Sequence, residues 1–159
     1  MKKNLTLLLQ AVLVAIGIGV FVFMLWEPQL EGVNAHKTLF EIYFKDPFVA
    51  YLYAASVPFF VALWQAFKVL GYVRHDKIYS PPAANALRKI KYCAFITAGA
   101  IAAADAYLLL LAPRNDSDDP TGAVMLGMAA ILVSVIVGTA AAVFGRTVQN
   151  GVNASTKKL

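Results

Sequence analysis

Few residues in this chain carry reactive side chains, and where they stand matters more than how many there are. Asp105 is the sharpest candidate, an acid set inside the apolar run 90–112. An ionised Asp in mid-span costs about 2.5–3.5 kcal/mol on insertion scales, so it should face other helices and have a partner. Tyr53 and Ser56 lie at similar depth on the preceding apolar run and are the expected donors. Where neither a cation nor water reaches it, a dry site favours the uncharged acid. Two readings stand: a proton or ligand site, or a hydrogen-bonded structural acid.

A second constellation is basic. Arg74, Lys77, Arg88, Lys89 and Lys91 gather between the second and third apolar runs. Such a cluster sets topology and attracts anionic lipid headgroups, at about 1 kcal/mol per charge near the surface. Its sharper reading is a docking surface for an acidic cytoplasmic partner. No nucleic-acid-binding module accompanies it, so direct nucleic-acid binding is not expected.

Other chemistry is sparse. His36 and His75 are far apart and fall on opposite sides of a membrane, so neither a His-based metal site nor a catalytic triad is expected. Cys93 is alone, which excludes an internal disulfide, and it reads as a packing residue. The acidic turn at 115–119 lacks the ligand spacing of a calcium loop and reads as solvated. There is no Gly-rich phosphate loop. The expectation is a protein that is not an enzyme and holds no metal or cofactor. Gln10 and Gln65 read as interhelical glue.

The elements that position these residues follow from composition. Sixty per cent of the 159 residues are hydrophobic and 14% are charged, against roughly 45–50% and 25% in a soluble domain. A single small core cannot hide that excess. Four apolar runs, 5–26, 47–70, 90–112 and 122–144, each match the about 20 helical residues needed to cross a bilayer. In lipid they must be helices, because each backbone polar group has to be satisfied within its own segment. Lys2 and Lys3 precede the first run, but it exceeds the ~7–15-residue core of a signal peptide and reads as a retained anchor.

Local punctuation agrees. Asp46-Pro47, Ser80-Pro81 and Asp119-Pro120 read as N-cap and first helical residue of the second, third and fourth helices. Pro58 should kink the second helix. Of the 14 Lys and Arg residues, 11 lie on one side if the N-terminus is cytoplasmic, and only Lys37, Lys45 and Arg114 lie on the other. Both termini are therefore expected in the cytoplasm. In the first outer loop, Phe40, Tyr43 and Phe44 share one helical face and Lys37, Glu41 and Lys45 the other, which predicts a short amphipathic helix over 36–45. Small residues at four-residue spacing stripe three spans: Ala11, Ala15 and Gly19; Ala94, Ala98, Ala102 and Ala106; Ala130, Ser134, Gly138 and Ala142. These favour an all-α, antiparallel four-transmembrane-helix bundle.

The run from Pro58 through Phe59, Phe60 and Trp64 to Lys68 resembles a signature of a bacterial membrane-protein family, DUF2975. Ala86-Leu87-Arg88-Lys89-Ile90-Lys91-Tyr92-Cys93-Ala94, Asp118-Asp119-Pro120-Thr121-Gly122 and the closing stretch from Ala142 to Gln149 resemble it too. The resemblance implies a four-span protein of the bacterial cytoplasmic membrane. It also implies a cytoplasmic helix-turn-helix regulator as a partner, since members are often encoded beside one. It carries over no catalytic or binding residues. Here the third helix opens Ser80-Pro81-Pro82-Ala83, a departure from the family's Ser-x-x-Ser start, and Asp105 matches no fixed family acid.

Two functions follow. The first is a non-enzymatic regulator or sensor whose basic inner face docks a cytoplasmic protein. The second is a small transporter or channel subunit in which Asp105 and the Pro58 kink line a polar path. Four spans enclose little volume, so the second version calls for a homo-oligomer in the bilayer.

Overall fold

The computed structural model describes residues 2–30, 47–111 and 121–157. It contains four helices: α1 (Lys2–Leu30), α2 (Pro47–Arg74), α3 (Pro81–Leu110) and α4 (Thr121–Thr156). Each includes a stretch long and apolar enough to cross a membrane, and no strand occurs among the described residues. The amphipathic helix expected over 36–45, the acidic turn at 115–119 and His36 lie outside the described residues.

Helices outrun spans at one end. α4 has 36 residues, roughly 54 Å of helix against a hydrocarbon core of about 30 Å, and the tail from Val148 to Thr156 continues it. α3 begins at Pro81, nine residues before the apolar run at Ile90. The fixed proline φ suits a first helical turn, whose amides have no intrahelical partner. Ser80 has the extended backbone of an N-cap, but its hydroxyl makes no capping bond and donates to the Lys77 carbonyl at 2.7 Å.

Between α2 and α3 the chain reverses within six residues, 75–80. α2 closes with a paired C-cap: Lys77 N–H donates to the Tyr72 carbonyl (2.8 Å) and Asp76 N–H to that of Val73 (3.2 Å). Asp76 takes the left-handed conformation this cap requires, φ 54°, at a position usually held by Gly.

α3 and α4 make the most extensive packing interface, α2 packs on α3, and α1 rests mainly on α2. The α3–α4 register is visible at the glycines. Gly127 lies against Asp105, Gly138 against Ala94 and Phe95, Gly145 against Leu87, and Gly151 against Tyr79. Residue numbers fall along α3 as they rise along α4, so this pair runs in opposite directions. The inward positions of α4 are Val124, Gly127, Ile131, Ser134, Gly138, Ala141, Gly145 and Val148, alternating steps of three and four. α3 answers with Ala83, Leu87, Ile90, Ala94, Thr97, Ile101 and Ala104, flanked by Ala84, Ala98 and Asp105. A seven-residue repeat of this kind winds two helices into a left-handed coil.

This geometry corrects the four-residue stripes. A line of i+4 steps advances 400° per step and drifts round the helix, so Ala94 and Ala98 are buried while Ala102 and Ala106 are exposed. On α1 the stripe is wrong throughout. Ala11, Ala15 and Gly19 are exposed, and the face turned inward is Thr6, Gln10, Leu13, Gly17, Val20 and Met24, again in steps of four and three.

The most deeply buried cluster sits not in mid-span but towards the α2–α3 turn. Ala83 is fully buried, and Ala84, Leu87, Ile90, Ala141 and Val148 join it, with Ala66, Val69, Tyr72 and Ile78 packed against them. By contrast the flanks of α1 and α4 expose Leu8, Ile18, Phe23, Leu126, Leu132, Ile136 and Phe144, as a lipid-facing surface should.

The seam and the stripe make opposite demands on substitution. A Cβ at Gly138 would stand 3.2–3.3 Å from Phe95 and Ala94, so Gly138→Leu is expected to lower stability by about 2–3 kcal/mol, in the range of overpacking. Ala102→Leu, on the exposed side, should change it by less than about 0.5 kcal/mol. Reversible unfolding in mixed detergent micelles would separate the two.

Candidate functional site

Asp105 lies on the side of α3 that faces α4, not α2. Its residue is 9% exposed, and Oδ2 is buried with no hydrogen-bond partner among the described residues. The carboxylate occupies the space that a side chain at position 127 would take. A Cβ built on Gly127 falls onto the Asp105 carboxylate, so an acid fits here only because α4 presents bare backbone. Gly127 was not visible as a partner in the sequence. Its signal was the seven-residue spacing to Ser134, Ala141 and Val148, which places all four on one line.

The donors expected for Asp105 are committed elsewhere. Tyr53 donates its hydroxyl to the Met24 carbonyl on α1, and Ser56 donates to the Tyr53 carbonyl at 2.7 Å. Tyr51 faces the other way and donates to the Ala100 carbonyl on α3 at 2.8 Å. The reason is angular. Residues two apart on a helix point about 200° from one another, so α2, lying between α1 and α3, sends one tyrosine to each. Asp105, Tyr53 and Ser56 therefore do not form one site. α2 continues as helix on both sides of Pro58.

The glue between α1 and α2 also differs from the expected Gln10–Gln65 pair. Gln10 donates its side-chain amide to the Phe67 carbonyl at 3.2 Å, while Gln65 is buried on α2. Phe21 meets Phe60 edge to face at 6.1 Å. At the far end of the α2–α3 contact, Phe48 stacks on Tyr107 at 5.5 Å.

A cavity of about 190 Å³ lies among all four helices, bounded by Leu13, Phe59, Leu63, Ile90 and Val137. Its walls are apolar apart from the Thr97 and Ser134 hydroxyls on facing helices. Thr97 Oγ1 is buried and has no hydrogen-bond partner among the described residues.

The basic residues collect at the end of the molecule that carries the α2–α3 turn. Lys77, Arg88 and Lys89 are exposed there, and Arg74 and Lys91 are half-buried. Lys91 sets its ammonium 4.8 Å from the Tyr92 ring centre, and Lys68 stands 5.5 Å from that of Trp64. Structure adds Arg146 of α4, which lines one cleft with Arg88 and Lys91. The Lys/Arg bias counts Arg146 on the same side, but its linear distance from the cluster hid its place beside Arg88 and Lys91. Cys93 is free and half-buried. No group of three or more His, Cys, Asp or Glu able to hold a metal is present among the described residues.

Residues 32–156 match the family model described as protein of unknown function (DUF2975). The chain belongs to this family. It is also 30% identical over 154 residues to a protein of Bacillus subtilis (strain 168) named uncharacterized membrane protein YoaS, covering 96% of this chain and 94% of the relative. No solved structure matches the chain significantly. With four candidate spans and such a relative, this DUF2975 member is a membrane protein.

The Asp105–Gly127 contact makes a quantitative prediction. Gly127→Ala gains up to about 1 kcal/mol of helix propensity but overpacks the carboxylate at a cost of about 1–3 kcal/mol, so a net loss is expected. Asp105→Ala should cost little, because one oxygen has no partner to lose. The double variant should recover the loss, giving a coupling of at least about 1 kcal/mol in a double-mutant cycle. Additive effects would show that the two residues do not meet.

Proposed function

We propose that this DUF2975 protein is a non-enzymatic regulator or sensor of the bacterial cytoplasmic membrane. It is an antiparallel four-helix bundle with both termini in the cytoplasm, and its basic inner face docks a cytoplasmic protein with an acidic surface. The observation that carries this reading is the end of the molecule bearing the α2–α3 turn. There Arg88, Lys89 and Arg146 are exposed on helical turns held by the Ala83–Leu87–Ala141–Val148 core, and Lys77 is exposed in the turn beside them. A surface that must recognise a partner needs its charges held in place, and a packed core beneath them supplies that.

Orientation supports the same face. The Lys/Arg bias puts this end in the cytoplasm, and α3 and α4 continue beyond what the hydrocarbon requires. Charged residues on those extra turns meet water, where they steer an acidic partner from a distance of about one Debye length, roughly 8 Å at physiological salt. A helix-turn-helix regulator is the candidate partner, on the strength of the family resemblance. The alternative, a transporter using Asp105, has less support: the acid abuts α4 backbone, and its expected partners on α2 bond elsewhere.

Crosslinking and pull-down from native membranes tests the proposal. The wild type should recover one cytoplasmic protein specifically. A variant neutralised at Arg88, Lys89 and Lys91 should lose it while inserting normally. Recovery of the same protein by both would overturn docking on this face. Recovery of nothing but further copies of this chain would redirect attention to oligomers and to Asp105.

A further inference from the structure

Beside the α3–α4 seam, on the basic end, lies a cleft of about 210 Å³. Arg88 and Lys91 of α3 stand on one wall, one helical turn apart. Arg146, Gln149 and Asn150 of α4 stand on the other, also within about one turn. Ala84, Ala142 and Gly145 line it between them, and α4 comes close to α3 here, with a Cβ at Gly145 reaching 3.6 Å from Leu87. Three cations and two amides thus border one depression lined by small residues. No ion pair involves any of the three cations among the described residues, and the cleft is lined by no carboxylate. The acid nearest in sequence, Asp76, is exposed in the turn.

We infer that this cleft binds a phosphate group, presented by an anionic lipid or by a small soluble phosphate. Like charges drawn to one cleft repel one another, and an anion between them removes that repulsion. The donor set suits phosphate: two arginine forks for paired hydrogen bonds, a lysine ammonium and the Asn150 amide. Gln149 already donates one amide N–H to Asn153 at 3.1 Å and keeps its second. Volume narrows the choice. The cleft is smaller than the roughly 300–1,000 Å³ typical of drug-sized ligand sites, which favours a headgroup-sized anion over a nucleotide. Depth agrees, since Arg88 stands two residues before the apolar run that opens at Ile90. The inference goes beyond the docking proposal and does not depend on it, because it rests on the cleft between α3 and α4 and needs no protein partner.

The test uses the full chain purified in a neutral detergent, with bound phosphatidylglycerol counted by native mass spectrometry. Arg88→Gln/Arg146→Gln removes two charges from the cleft. Lys89→Gln removes one from the same surface outside it, since Lys89 does not line the cleft. Ala142→Phe fills the floor without touching charge, and guards against a misfolded double variant. The wild type and Lys89→Gln should retain the lipid. Arg88→Gln/Arg146→Gln should bind it about 25-fold more weakly, as expected for two lost charges at about fivefold each. Ala142→Phe should lose it because the added ring fills the cleft. A parallel arm titrates lipid-free protein with inorganic phosphate and pyrophosphate. Saturable binding there, lost in the same two variants, supports the cleft with a soluble ligand as its source. The inference is overturned if the double variant binds like wild type in both arms, or if Lys89→Gln weakens binding as much as the cleft variants do.

Discussion

The α3–α4 seam is the contact on which the other features depend. In lipid two helices gain little by burying apolar side chains against each other, because the surrounding chains are just as apolar. What holds them is close approach, and here it comes from a seven-residue repeat of small residues. Gly127, Ser134, Ala141 and Val148 form one line on α4, and Ala84, Lys91, Ala98 and Asp105 form its counterpart on α3. The same line that brings the backbones together therefore carries both unusual polar residues of α3. Asp105 is tolerated where α4 offers glycine. Lys91 is tolerated because the seam opens into a cleft at that level.

Cohesion changes character along the molecule. Through the spans α1, α2 and α3 are joined by point contacts: Tyr53 to the Met24 carbonyl, Tyr51 to that of Ala100, Gln10 to that of Phe67. Each is worth on the order of 1 kcal/mol in a membrane, where the separated helices find other partners. Towards the α2–α3 turn the helices pass beyond the hydrocarbon, and water restores the hydrophobic drive. That is where the deepest core forms, from Ala83, Leu87, Ile90 and Val148 with Tyr72 and Ile78.

α2 acts as the mediator. It touches α1 on one side and α3 on the other, and its side chains divide accordingly. Tyrosine hydroxyls suit this position: Tyr51 shares the Ala100 carbonyl of α3, and Tyr53 reaches the Met24 carbonyl, which Pro28, having no N–H, leaves without its usual partner in α1. Phe60 and Phe48 fill the same two interfaces with ring contacts, to Phe21 and Tyr107. The bulk that sets α2 apart from the small-residue helices is thus spent on both neighbours at once.

The sequence by itself determined that there are four long helices, where their apolar runs lie, and the family, because length, hydropathy and the Pro-Phe-Phe and Ile-Lys-Tyr-Cys runs are local properties. It also placed the basic residues Arg74 to Lys91 at one end. It could not determine which faces meet. Small residues at four-residue spacing satisfied the pattern on α1, yet Ala11, Ala15 and Gly19 point outward, because helices in contact follow an average repeat of about 3.5 and not 4. Asp105 was recognisable as an anomaly, but its neighbour Gly127 has no side chain to announce itself and lies across a chain reversal. Arg146 joins Arg88 and Lys91 only when α4 folds back along α3. Those pairings are rotational and long-range, and only the tertiary structure, by fixing the phase of each helix against the next, decided them.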